Sequence, residues 1–184
     1  LIRCVCLSDA YQRTSRVAPG NEKTEAEQLF ARTVPKVLTP EQLYDALCVA
    51  LEVPEIAPPP DPKKKPNLKA PPPPSPRSVF VGQFRGPGEA DEPTELKLGV
   101  PHALKLMNEL YFNTGGKVVD RVMASAKSPD EAVEGLFLAV LARKPTADER
   151  AKFVTFVEKQ KAPRDAYCRV VWVLLNSSEF MLNN

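Results

Sequence analysis

The sequence predicts a mainly α-helical fold, an irregular bundle built around a buried helix near the carboxyl terminus. Three segments carry helix-capping signals, and each is followed by apolar residues at the spacing of one helical face. A nearly continuous apolar run, Tyr167–Leu175, is interrupted only by Arg169. Because a helix that is apolar on almost every side is buried on most of them, this run predicts the centre of the bundle.

The capping signals define three helices. Each signal begins with a hydroxyl residue that can accept a hydrogen bond from the backbone three residues later, where a Glu or Gln side chain can reach back to the cap. The motifs are Thr39-Pro40-Glu41-Gln42, Ser128-Pro129-Asp130-Glu131 and Thr146-Ala147-Asp148-Glu149. The Lys144-Pro145 junction ends one helix just before Thr146 starts the next, which predicts a tight helical hairpin.

Apolar residues follow each cap at helical spacing. They are Leu43, Leu47, Ala50 and Leu51 after the first; Val133, Leu136, Phe137, Val140 and Leu141 after the second; Phe153, Val154 and Val157 after the third. Further helices are expected near residues 1–14, 101–112, 116–126 and 164–176.

Proline marks the main change in composition, between residues 54 and 77. Proline fixes φ and lacks an N–H, so we expect an extended, surface-lying insertion there rather than a helix or a central strand. The spacing of Pro71 and Pro74 would also suit a docking peptide, although no basic residue stands at the usual offsets. The predicted organisation is one domain in two helical parts, 1–53 and 78–184, separated by the linker or insertion 54–77.

One short segment, Ser78–Phe84, is predicted to be strand-like. Its valines at 79 and 81 alternate with other residues before Gly82, and β-branched and aromatic residues favour strands. A lone strand needs a partner, so the segment is expected to pair with an upstream part of the protein or with a second copy of the chain, or else to lie extended on the core. The fold is therefore expected to contain at most this one strand-like element.

Composition bounds the partners. The 25 basic and 23 acidic residues give a net charge of +2, and the only dense basic run, Lys63-Lys64-Lys65, lies among prolines, so no nucleic-acid surface is predicted. No apolar run reaches the roughly 18 residues of a membrane span. The chain opens at Leu1 in an amphipathic pattern without a secretory signal, from which we expect the carboxyl-terminal part of a larger protein.

Several blocks together resemble one family. The opening LIRCVCLSDAYQRTSR, LFAR and LTPEQLYDAL are followed by FVGQFRGPGEADEPTE, HALKLMNELYF, GLFLAVLARKPTADE and VVWVLLNSSEF. In this order they are similar to a carboxyl-terminal helical domain of large exported planctomycete-type proteins, a domain without an assigned activity. The resemblance implies export, a multidomain architecture and often an upstream c-type cytochrome module with its haem. The C-x-x-C-H haem attachment motif is absent from this chain, so the haem would belong to the upstream part.

The cysteines fit two interpretations. Cys4 and Cys6 would point about 200° apart on a helix, which excludes a shared metal ion, and Cys48 and Cys168 lie in apolar stripes. All four can therefore be free, small core residues. The exported context that the resemblance implies raises a disulfide as the alternative, first between Cys168 and either Cys4 or Cys6.

Weak candidates for a polar site lie between residues 89 and 113, where the leading interpretation is a solvated acidic loop, a capping or surface histidine and core aromatic residues before a glycine turn. The single histidine, His102, stands at the start of a predicted helix, and the acidic residues Glu89, Asp91, Glu92 and Glu95 precede it. The acidic cluster could hold calcium, although its spacing fits no EF-hand loop. Glu92 and Glu109 could act as an acid–base pair, and Tyr111 with Phe112 and Asn113 could stack on a sugar.

The residues do not define a reaction. The chain has no G-x-S-x-G motif, no reactive-cysteine signature and no metal spacing, so no catalytic, cofactor-binding or metal-binding residue is assigned. The leading expectation is a non-catalytic helical interaction or scaffold module that binds the upstream domains of its own polypeptide or a partner protein. The alternative is an accessory part of an extracytoplasmic polysaccharide-acting enzyme, or a carbohydrate-binding module, with Glu92, His102, Glu109 and Tyr111 as the weak polar site.

Overall fold

The computed structural model describes residues 1–9, 11–13, 15, 17–22, 25, 29, 31, 32, 36–56, 74–84 and 113–183. The chain is mainly helical, which confirms the predicted all-α class. It divides into two compact units: Leu1–Val37 with Leu182–Asn184, and Leu38–Met181. A boundary at residue 38 is not predicted from the sequence. Most of the proline-rich insertion and the helix expected at 101–112 lie outside the described residues.

The first unit contains a short helix and a two-residue strand pair. Helix α1 spans Ile2–Cys6 and buries none of its residues. Strand β1, Lys36–Val37, pairs antiparallel with β2, Leu182–Asn183. The helix predicted near 1–14 ends at Cys6, so the prediction is wrong for the described residues 7–9 and 11–13. The Ser8 hydroxyl donates to the Val5 carbonyl at 2.7 Å and accepts from the Tyr11 N–H at 3.3 Å, and these local bonds replace the helical ladder with a turn.

The second unit holds the other described helices. They are α2 (Pro40–Leu51), α3 (Pro76–Phe84), α4 (Gly116–Ser125), α5 (Pro129–Leu141), α6 (Ala147–Glu158), α7 (Pro163–Leu175) and α8 (Ser178–Met181). Helix α7 packs against α4, α5, α6 and α8, while α2 packs against α3, α4 and α5. The expected central helix is therefore confirmed, as is the hairpin of α5 and α6.

The core is apolar and continuous across these helices. In α7 the buried residues are Ala166, Tyr167, Cys168, Val170, Val171, Leu174 and Leu175. Trp172, expected in the buried centre, is only partly buried, and Val173 is 43% exposed. Together with exposed Arg169, these residues lie outside the fully buried face of α7.

All three predicted caps are present. Thr39 and Thr146 each form a complete capping box, with Gln42 and Glu149 at the third helical position. The Ser128 hydroxyl accepts from the Glu131 N–H at 3.2 Å, but the Glu131 carboxylate accepts from the Lys127 N–H instead of closing the box. These bonds satisfy backbone donors that an α-helix leaves open at its first turn.

The strand-like interpretation of Ser78–Phe84 is wrong, because the segment belongs to helix α3. The Ser75 hydroxyl accepts from the Ser78 N–H at 3.2 Å and proline follows it, so Ser75-Pro76 starts a helix as Ser128-Pro129 does. Phe80 is buried with its ring edge-on to Tyr44, 5.3 Å between centroids. Packing on α2 thus overrides the strand preference of the valines.

Helix α4 begins at two glycines that no other residue could easily replace. Gly115 and Gly116 have φ of 69° and 60°, in the left-handed region. A Cβ at Gly115 would lie 2.6 Å from a methyl of Val119 and 2.9 Å from the Cys168 sulfur, and one at Gly116 would lie 2.8 Å from Leu51 Cβ. The pair therefore lets α4 start in close contact with the end of α2 and with α7.

Candidate interaction site

The polar site that the sequence predicts lies outside the described part of the chain. Glu92, His102, Glu109 and Tyr111, with the acidic residues from 89 to 95, all fall between 85 and 112. The calcium, acid–base and sugar-stacking hypotheses depend on these residues and stay predictions. Asn113, at the edge of this region, is exposed.

Arg143, just after helix α5, joins three helices of the second unit through charged hydrogen bonds. Its guanidinium donates two hydrogen bonds to the Glu149 carboxylate at 2.8 Å each, and two to Glu179 at 2.6 and 2.7 Å. It also lies over the buried Phe137 ring, 5.5 Å from its centroid. Arg143 therefore ties α5 to the first turns of both α6 and α8, using bidentate geometry that lysine could not reproduce.

Hydrogen bonds from Arg143 lower the pKa of the Glu149 carboxyl to about 2, with further help from the Thr146 cap. The same contacts raise the pKa of Arg143 above its usual range. Both groups are thus charged at any physiological pH. A proton carrier needs a pKa near the working pH, so this arrangement is suited to holding helices together and unsuited to acid–base catalysis.

Other arginines make similar connections between helices of the second unit. The pairs are Arg77 with Asp45 (α3 to α2), Arg121 with Glu52 (α4 to the end of α2), Arg164 with Asp120 (α7 to α4), and Arg150 with Asp130 and Glu134 (α6 to α5). Lys144 adds a further bond to Glu134 at 2.8 Å. Exposed pairs of this kind contribute little to stability individually, but each connects two neighbouring helices.

The four cysteines are free thiols. Burial raises the pKa of the Cys168 thiol even though the Arg164 guanidinium is 3.5 Å from its sulfur, and the thiol donates to the Thr114 carbonyl at 3.2 Å. Burial also raises the pKa of Cys48. A raised pKa removes the thiolate that nucleophilic chemistry requires, so both behave as the small core residues of the first interpretation. The disulfide between Cys168 and Cys4 or Cys6 is not formed.

The outer face of helix α6 has a different character. A shallow concavity of about 540 Å³ lies along it, lined mainly by apolar atoms of Ala151, Lys152, Thr155, Phe156 and Lys159. Phe156 is partly buried, and the other four residues are exposed. Neither lysine has an ion-pair partner within the described residues. We call these five residues the α6 surface.

Neither the contacts of Arg143 with Glu149 and Glu179 nor the α6 surface is predicted from the sequence. Glu149 is identified as a capping residue, but its second role depends on Arg143 and on Glu179, which is 30 residues further along the chain. Phe156 is absent from the predicted apolar stripe, although it lies three residues after Phe153 and so at the edge of the same helical face. An aromatic residue at the edge of the core stripe, between two lysines in the sequence, is the signal that could have found the α6 surface.

The described residues contain no group of three or more His, Cys, Asp or Glu side chains arranged to hold a metal ion. Among the described helices, none is long and apolar enough to cross a membrane. No protein-family description, curated protein or solved structure matches this chain. The resemblance to the planctomycete-type domain therefore stays a prediction.

Proposed function

We propose that this chain is a helical interaction module, without chemistry of its own, in a larger exported multidomain protein. Its task is to bind another domain of the same polypeptide or a separate partner protein. The α6 surface is the observation that carries the proposal. It combines an apolar concavity with two exposed lysines that pair with no carboxylate of the described residues.

The contrast with the other charged residues supports this assignment. Arginines of the second unit connect helices to one another, as Arg143 connects α5, α6 and α8. Such groups act within the fold. Lys152 and Lys159 make no such connection among the described residues, and they flank the concavity beside the half-buried Phe156. Apolar area rimmed by polar groups is typical of protein-binding surfaces.

The proposed function is tested by photo-crosslinking in cells that produce the natural full-length protein. A benzophenone amino acid replaces Thr155 on the α6 surface, and in separate variants it replaces Val49 on α2 or Val173 on α7. Val49 and Val173 are 75% and 43% exposed, so the three positions sample different faces without disturbing the core. Cross-linked peptides are then sequenced by mass spectrometry.

We expect cross-links from at least one position to a defined segment outside this chain. If all three variants are folded and none cross-links to another domain or protein, the interaction module is rejected. If the Val49 or Val173 variant alone cross-links, the interaction module stands but its binding surface is not on α6.

A further inference from the structure

We draw no further inference here: the strongest candidate, the surface patch of helix α2 where Val49 is 75% exposed one turn from Asp45 and from Glu52, carries nothing because no contact in the described part of the chain shows what covers it.

Discussion

Helices α6 and α7 have almost the same length, 12 and 13 residues, yet different forces hold them in place. Helix α7 buries seven residues and has no side-chain cap, because Ala162 stands at its N-cap position. Helix α6 fully buries only Val157, but a complete capping box starts it and ion pairs from Arg143 and Arg150 anchor its first turn. The two helices are neighbours in the same core.

The difference shows how a helix can belong to a fold and still leave a face free. Burying an apolar side chain contributes about 1.5–3 kcal/mol, so α7 is stabilised mainly by what it hides. Caps and bidentate ion pairs act at the ends and edges of α6, where they contribute less individually but do not occupy its outer face. That outer face carries Phe156 and the two lysines of the α6 surface.

The largest expected effect is a difference in stability between alanine variants of two residues of α7, Leu174 and Trp172. Leu174 is 3% exposed, so Leu174→Ala should lower the free energy of unfolding by about 2–5 kcal/mol. Trp172 is only partly buried, and Trp172→Ala should cost less, about 1–2 kcal/mol, despite the larger side chain removed. Urea unfolding of both variants checks the order. A greater loss from Trp172→Ala would contradict the burial pattern of α7.

A smaller effect, dependent on pH, is expected at the anchor of α6. Arg143→Met should lower the free energy of unfolding by about 1–2 kcal/mol near neutral pH, because the carboxylates of Glu149 and Glu179 lose their partner. Folding lowers the pKa of Glu149 from 4.5 to about 2, so this stabilisation is complete above pH 4.5 and is lost as the pH falls toward 2. The difference in free energy of unfolding between wild type and variant should therefore become smaller as the pH falls.

The control for this prediction is Arg169→Met on α7. Arg169 is exposed and has no ion pair within the described residues, so its replacement should change stability by less than about 0.5 kcal/mol at every pH. Unfolding curves collected across this pH range give both comparisons. If the difference in free energy of unfolding between wild type and Arg143→Met is the same from neutral to acid pH, the lowered pKa of Glu149 does not depend on Arg143.

The smallest effects concern the caps. Thr146→Ala removes the hydroxyl that accepts from the Glu149 N–H and should cost about 1 kcal/mol. Ala162→Ser supplies the missing cap of α7 and should increase stability by up to about 1 kcal/mol. Thermal unfolding of the two variants should show opposite shifts. Shifts of the same sign would contradict the assignment of a stabilising cap to the start of α6 and of a missing cap to the start of α7.

Local signals predict most of the helices in the second unit. Thr39, Ser128 and Thr146 mark true starts, because a cap depends on residues only three positions apart. The same device at Ser75-Pro76 was available, but the valines after it pointed to a strand. What decides the outcome there is Phe80 packing on Tyr44, a contact between residues 36 positions apart that no local pattern contains.

The candidate site is harder to predict than the helices. Arg143 gains its role only when the chain brings Glu179 back beside the start of α6. The α6 surface depends on which face α5 and α7 leave uncovered, and the periodicity of α6 alone does not determine that. Trp172 illustrates the same limit, since an apolar run indicates burial of the helix without indicating which residue faces outward.

The ends of the second unit have a practical consequence. The Leu38 N–H donates to the Met181 carbonyl at 3.1 Å, so the chain enters and leaves this unit at adjacent points. A segment whose two ends meet can be grafted into a surface loop of an unrelated host without stretching either protein. Residues 38–181 are thus suited to insertion into a loop of a host protein. The fluorescence or enzymatic activity of that host would then report whether the inserted helices fold.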